Sequence, residues 1–484
     1  MNYRMIAYII GHIVRVEGLL MLLPFACALI YGEGSWIAFI LPIVLSLAVG
    51  TLFTVKKPGN MQIFAKEGFV SVALSWIVLS LIGALPFVMS GAIPSYVDAL
   101  FETVSGFTTT GASILTDVEA MDKGLLFWRS FTHWIGGMGV LVFVMAILPQ
   151  ADTRSVNLMH VMRAEVPGPK VGKLVSKISR TARIMYGIYI VMTAVEVVLL
   201  LIGGMPLFDS LLNSFATAGT GGFGIKATSI AAYDSAYVDY VIGVFMVLFG
   251  INFNLYYFIL VGQGFQLLKS EELRWYLGIV AAATTLIAFD IHRIYGSVGE
   301  SVRYAFFQVA SIITTTGYAT ADFAGWPFMS QAIIVLLMFC GACAGSTAGG
   351  IKVSRLIILA KMGLREIKYM LHPRAVVAVK MEGKAADKDV LRSAAAFIIV
   401  YGMLFVVSFA LVTFVERCDL VTGFTAISAT INNIGPGLGE VGPMGSFSGF
   451  TSFTKLLLSF VMLAGRLEIF PMIMLLAPGT WRRR

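Results

Sequence analysis

Charge is what this sequence has least of. Only 13% of its 484 residues are Asp, Glu, Lys or Arg, against roughly 25% in a soluble domain. With 58% hydrophobic residues and a mean hydropathy of +0.86, that scarcity excludes a soluble globular protein. Cysteine is scarce too. Cys27, Cys340, Cys343 and Cys418 make no disulfide framework, because two lie in one apolar segment and the others are isolated. The histidines (His12, His133, His160, His292 and His372) are scattered, and nothing resembles a metal-ligand cluster or a catalytic triad.

Long apolar runs, in contrast, fill the chain. A membrane-crossing helix needs about 20 apolar residues, and hydropathy predicts spans at 5–31, 36–54, 68–89, 124–149, 181–204, 237–265, 275–291, 327–349, 393–415 and 455–478. Asn2-Tyr3-Arg4 before an apolar stretch has the form of a secretory leader. However, His12, Arg15 and Glu17 interrupt the stretch and no small-residue cleavage site follows, which predicts a retained helix with an interfacial first half.

The net charge of +8 is a matter of topology rather than of nucleic-acid binding. Lys and Arg gather in alternate connections: Lys56 to Lys66, Arg154 to Arg183, Lys269 to Arg274, Arg355 to Arg392, and Arg482-Arg483-Arg484. The connections between them are acid-rich, with Glu33, then Asp98, Glu102, Asp117, Glu119 and Asp122, then Asp209 and Asp234. By the positive-inside rule, the basic connections and both termini are cytoplasmic. The basic surface at 154–183 and 355–392 is suited to anionic lipid.

Most acid-rich connections are too long for simple loops. Each holds a half-length apolar segment that ends in Thr, Asn and Gly, and four of these stack without a gap: Phe101 to Gly111, Leu212 to Gly222, Phe307 to Gly317 and Thr425 to Gly435. A span precedes each, and a second span follows whose small-residue patch contains Gly136, Gly250, Gly341 or Gly465. This predicts an all-α membrane protein: two N-terminal helices at 1–60, then four units at 68–150, 181–265, 274–363 and 392–484, all entering the membrane in the same direction. Parallel units can surround a central axis, unlike inverted repeats.

A half-helix of about ten residues cannot cross a hydrocarbon core of about 30 Å, so the Thr/Gly strand after it lies inside the bilayer as non-helical backbone. Such backbone is tolerated only if buried in protein or lining an aqueous cavity. Four of these strands around one axis would aim carbonyl oxygens inward and replace the hydration shell of a cation. The half-helices also direct the negative ends of their dipoles toward the centre.

Three further features stand out below these strands. Phe339 to Gly350 is so rich in Gly that a broken helix is expected where the third unit's second span should cross the midplane. Gly345 to Lys352 superficially resembles a phosphate-binding loop, but Ile351 separates Gly350 from Lys352 and no strand precedes it. Cys340-Gly-Ala-Cys343 has the spacing of a redox pair, so a membrane thiol oxidoreductase is a competing reading. Arg466 sits mid-span, where insertion costs roughly 2.5 to 3.5 kcal/mol. It must meet either an internal ion-pair partner or a wet cavity. Glu196 and Asp290 are weaker intramembrane candidates.

Thr315-Thr316-Gly317-Tyr318 is similar to the TVGYG filter of potassium channels, and with the fourfold span-pore-span repeat the chain resembles the Trk/Ktr/HKT superfamily of potassium transporters, its TrkH branch more than the shorter KtrB. The resemblance implies a filter at Thr109, Thr110 and Gly111; Thr220, Gly221 and Gly222; Thr315, Thr316 and Gly317; and Asn433, Ile434 and Gly435. Three of the four strands lack the tyrosine, so only moderate preference for potassium over sodium is expected. The resemblance further implies a gate built from Gly341, Gly345, Gly349 and Gly350 with Arg466 projecting toward the ion path. It also implies potassium uptake across the bacterial inner membrane by a homodimer, with a cytoplasmic TrkA-type regulatory subunit that binds nucleotide itself. No organic cofactor and no enzymatic activity are then expected of this chain. Proton- or sodium-coupled symport is the alternative transport reading.

Overall fold

The computed structural model describes residues 1–60, 63–139, 178–375 and 377–481. The predicted span end at 140–149, residues 154–177 of the basic connection, and Arg482, Arg483 and Arg484 lie outside them. Among the described residues the strands are confined to one two-residue antiparallel pair, Lys380–Met381 with Lys384–Ala385. Everything else of regular structure is helical.

Among the described residues, six helices are apolar and long enough to cross a membrane: Tyr3–Tyr31, Gly34–Thr54, Ala65–Met89, Ala182–Ile202, Glu271–Tyr295 and Lys388–Glu416. The first half of the N-terminal helix, expected to lie at an interface, instead buries Ile6, Ile10 and Val14 against Val70. Its apolar face finds protein to pack on, which removes any reason to lie flat.

The four half-helices form as the sequence pattern requires. They are Tyr96–Phe107, Leu207–Gly219, Val298–Ile313 and Leu420–Ile431, called pore helices 1 to 4 below. Their N-termini carry the residues that favour a helix start. Ser95 caps pore helix 1, Asp98, Asp209 and Glu300 occupy first turns, and Asp419 accepts from the backbone N–H groups of Val421 and Thr422 at 3.0 and 3.1 Å. Hydrogen bonds from Thr422, through side chain and backbone, hold the Asp419 carboxyl below the usual carboxylate range.

The second span of each unit does not run as hydropathy predicts. The segment predicted at 237–265 is Ala236–Phe249 followed by Phe253–Leu260 at 92° to it. That at 327–349 is helical only over Phe328–Met338, and that at 455–478 stops at Arg466 and resumes over Phe470–Leu476. In the first unit the helix Lys123–Gly137 also ends at the small-residue patch. The cause is steric as well as conformational. A side chain at Gly136 would collide with the carbonyl oxygen of Phe107, and one at Gly465 with that of Ile431, the last residues of pore helices 1 and 4. These glycines let the second span press against the pore helix, and the helix ends one residue beyond each.

Candidate functional site

Each pore helix ends in the same backbone device. The N–H of the middle loop residue bonds to the fifth carbonyl back: Thr110 to Ser105 at 2.9 Å, and Gly221 to Ala216, Thr316 to Ser311 and Ile434 to Ala429 at 2.8 Å. The residue before it is left-handed in all four loops, Thr109, Thr220, Thr315 and Asn433 having φ of 54 to 57°. So is the glycine after it, at φ of 81, 73, 84 and 100° for Gly111, Gly222, Gly317 and Gly435. Left-handed Thr is costly, by about 1 to 3 kcal/mol per residue, and persists only where surroundings enforce it. An extended strand points successive carbonyls to opposite sides, and left-handed residues flanking an ordinary one instead turn them toward the same side.

The loops close into a ring. The carbonyl oxygen of Gly221 lies against Gly111, that of Thr316 against Gly222, and that of Ile434 against Gly317. The circle is completed by the Thr110 oxygen, which a Cβ on Gly435 would meet at 2.8 Å. In every case the middle carbonyl of one loop faces the glycine of the preceding loop, so the order around the axis is first, second, third, fourth, first. All twelve predicted filter residues are thus brought together. The residues fit a dehydrated cation. Besides the carbonyls, Thr109 Oγ1 and Asn433 Oδ1 are buried oxygens without a hydrogen-bond partner among the described residues. Thr315 Oγ1 is occupied by the N–H of Gly349 at 2.7 Å, and Thr220 Oγ1 donates to the Gly219 carbonyl.

Directly against this ring lies the loop between Met338 and Val353. It folds on itself through Gly341 N–H to Ile351 O at 2.7 Å and Val353 N–H to Ala342 O at 3.2 Å. Gly349 packs against loop 4, where a Cβ would meet the Asn432 carbonyl at 2.7 Å, and Gly345 and Gly350 take φ of 76 and 68°. The loop is anchored on its outer side by Glu272, whose carboxylate accepts from Ala344 N–H at 2.7 Å and Ser354 N–H at 3.1 Å. Lys352, buried, donates to the carbonyls of Ala348 and Gly349. Cys340 and Cys343 are both buried free thiols within it.

Arg466 joins three parts of this floor. Its guanidinium donates to Thr347 O at 2.8 Å, to Gly136 O at 2.7 Å and to Gly137 O at 2.8 Å. Carbonyl oxygens of the third and first units therefore receive the charge that hydropathy flagged. Glu468 turns to Arg355, which also covers the Phe397 ring at 4.1 Å. Asp290 accepts from Ser330 and lies away from the ring. Glu196 is fully buried against the helices.

Sequence reading missed a cluster behind loops 1 and 2. Glu102 pairs with Arg129 at 2.7 Å and accepts from Ser113 and from Ile114 N–H, both at 2.9 Å. Arg129 donates to Gly224 O at 2.9 Å and stacks on the Phe223 ring at 3.5 Å. The Phe223 ring in turn lies 4.1 Å from the His133 ring. The signal available in advance was an acid inside a pore helix and a base inside a span. On the outward connection, the Lys226 hydrogen bond and the Ala227 N–H hold the Glu119 carboxyl below the usual range.

Comparison with known proteins agrees with this geometry. Residues 37–481 match the model of the TrkH family, described as cation transport protein. The Trk system potassium uptake proteins TrkH of Salmonella typhimurium and of Escherichia coli are each 36% identical, with 100% of both chains covered. TrkG of Escherichia coli is 35% identical over 99% of each. The crystal structure of the potassium transporter TrkH from Vibrio parahaemolyticus superposes with a TM-score of 0.90 at 33% identity, covering 100% of both chains. With four loops closed into a ring and the family model matched over residues 37–481, the chain belongs to the TrkH family of cation transport proteins.

Proposed function

We propose that this chain carries potassium, and rubidium in its place, into the bacterial cell through a gated, channel-like pore in the inner membrane. The observation that carries the reading is the closed ring of four loops with the same left-handed pattern in each. Carbonyls of Thr109 to Gly111, Thr220 to Gly222, Thr315 to Gly317 and Asn433 to Gly435 substitute for water around the ion, and the dipoles of pore helices 1 to 4 favour its charge. The working division is two N-terminal helices at 1–60 and four units at 68–150, 181–265, 274–363 and 392–484, with both termini cytoplasmic.

The floor loop bearing Gly341, Gly345, Gly349 and Gly350 is the gate. Arg466 holds it, adding a positive charge under the filter that raises the barrier to cations. Its three carbonyl contacts support this role. The chain acts as a homodimer, in contact with anionic lipid, beneath which a TrkA-type subunit binds nucleotide and moves the gate. This chain then needs no organic cofactor.

The test is rubidium flux in liposomes containing the purified chain, with potassium, sodium and proton gradients varied independently. Flux that follows the rubidium gradient alone supports conduction. Flux that requires an imposed proton or sodium gradient identifies a symporter instead.

A further inference from the structure

Two departures from the fourfold pattern meet each other. At the middle position of the filter loops stand Thr110, Thr316 and Ile434, but the second loop has Gly221. Three residues before the glycine where each second span breaks stand Val247, Met338 and Met462, but the first unit has His133. The space a Gly221 side chain would take is filled by the His133 ring, into which a Cβ built on Gly221 would run. Nothing in the backbone of Gly221 forbids a side chain, because its φ is not positive.

The imidazole is also bonded at both ends. Nδ1 lies 2.7 Å from the carbonyl oxygen of Gly106 in pore helix 1, and Nε2 lies 3.3 Å from the backbone N of Phe223, the residue after the second loop's glycine. A carbonyl can only accept and an amide N–H can only donate, so Nδ1 carries the proton and Nε2 accepts. The ring is fully buried. It spans from the end of pore helix 1 to the far end of loop 2, across the seam between neighbouring units.

We infer that His133 is a positioning residue for ion preference: it stands in for the side chain missing from Gly221 and sets how far the second loop's carbonyls project toward the axis. The inference rests on the filter reading given above. A small displacement of one of four carbonyl sets changes the fit for potassium more than it changes whether an ion passes, so the ratio of rubidium to sodium flux is the sensitive quantity.

The experiment compares that ratio in liposomes for the wild-type chain, His133→Ala, His133→Asn, Gly221→Ala and the His133→Ala/Gly221→Ala pair, with Gly317→Ser as a control on the filter. Removing the imidazole should lower the ratio about three- to tenfold, the scale of one or two lost hydrogen bonds. His133→Asn keeps a donor for Gly106, loses the acceptor for Phe223, and should fall between; it covers the case in which His133→Ala does not fold. Gly221→Ala alone should lower the ratio because its methyl collides with the ring, and the paired variant should recover part of the loss. A wild-type ratio in the His133 variants, or additive effects in the pair, overturns the inference while the Gly317→Ser ratio still shifts. If Gly317→Ser also keeps the wild-type ratio, the filter reading itself fails.

Discussion

The ring and the floor beneath it are built on opposite plans. The ring repeats one backbone motif four times, with the same hydrogen bond and the same two left-handed residues in every loop. The floor is irregular: the third unit's second span opens into the loop between Met338 and Val353, tied from outside by Glu272 and Arg466 and from within by Lys352. A cation on an axis needs equivalent oxygens on all sides, which backbone symmetry supplies irrespective of side chain. A gate needs one element that moves while the rest stay still, and that requires asymmetry. On the function proposed above, symmetry belongs to the permanent part of the pathway and asymmetry to the switchable part.

The sharpest way to break this contrast is to disturb the ring at its closest approach. Gly222→Ala adds a methyl at φ 73° against the Thr316 carbonyl. Rubidium uptake should fall at least about tenfold, through overpacking and left-handed strain together, whereas uptake near wild type would deny the ring its role.

On the floor the sign should reverse. Arg466→Ala deletes three charge-assisted bonds to Thr347, Gly136 and Gly137 and should raise rubidium flux about fivefold or more, hydrogen bonds to charged groups contributing about 1.5 to 3 kcal/mol each. Unchanged or lower flux in folded protein counts against the latch. A milder loosening comes from Glu272→Gln, which weakens the carboxylate joining Ala344 and Ser354; flux should rise about two- to threefold, with ion preference retained because the ring is untouched. The smallest effect is expected of Cys340→Ser with Cys343→Ser. These buried free thiols serve packing, and flux should stay within about twofold, whereas its abolition would revive a redox role.

The same contrast explains what could be read in advance. The ring was legible because Thr109 to Gly111 and its three counterparts align without a gap, and four occurrences turn a weak Thr/Gly motif into a strong one. The breaks at Gly250 and Gly465 were not, since hydropathy runs on through both: it registers that Val247 and Leu248 are apolar, not that the chain turns 92° shortly after them. The dense glycines of 341–350 did announce the floor loop. Arg466 stood out as a charge in a span, but its carbonyl partners lie in distant units, at Gly136 and Thr347. His133 looked merely scattered because its contacts, Gly106 and Phe223, are joined only by the seam between two units. Local pattern reveals what is repeated; contacts that cross between units leave no periodic trace.

In the function proposed above, an ion passes through the ring of loop carbonyls. Anomalous diffraction from crystals of the chain grown in rubidium tests it most directly. Rubidium peaks are expected on the axis bounded by Thr109 to Gly111, Thr220 to Gly222, Thr315 to Gly317 and Asn433 to Gly435, above the floor loop. Peaks confined to other cavities, with none inside the ring, would contradict it.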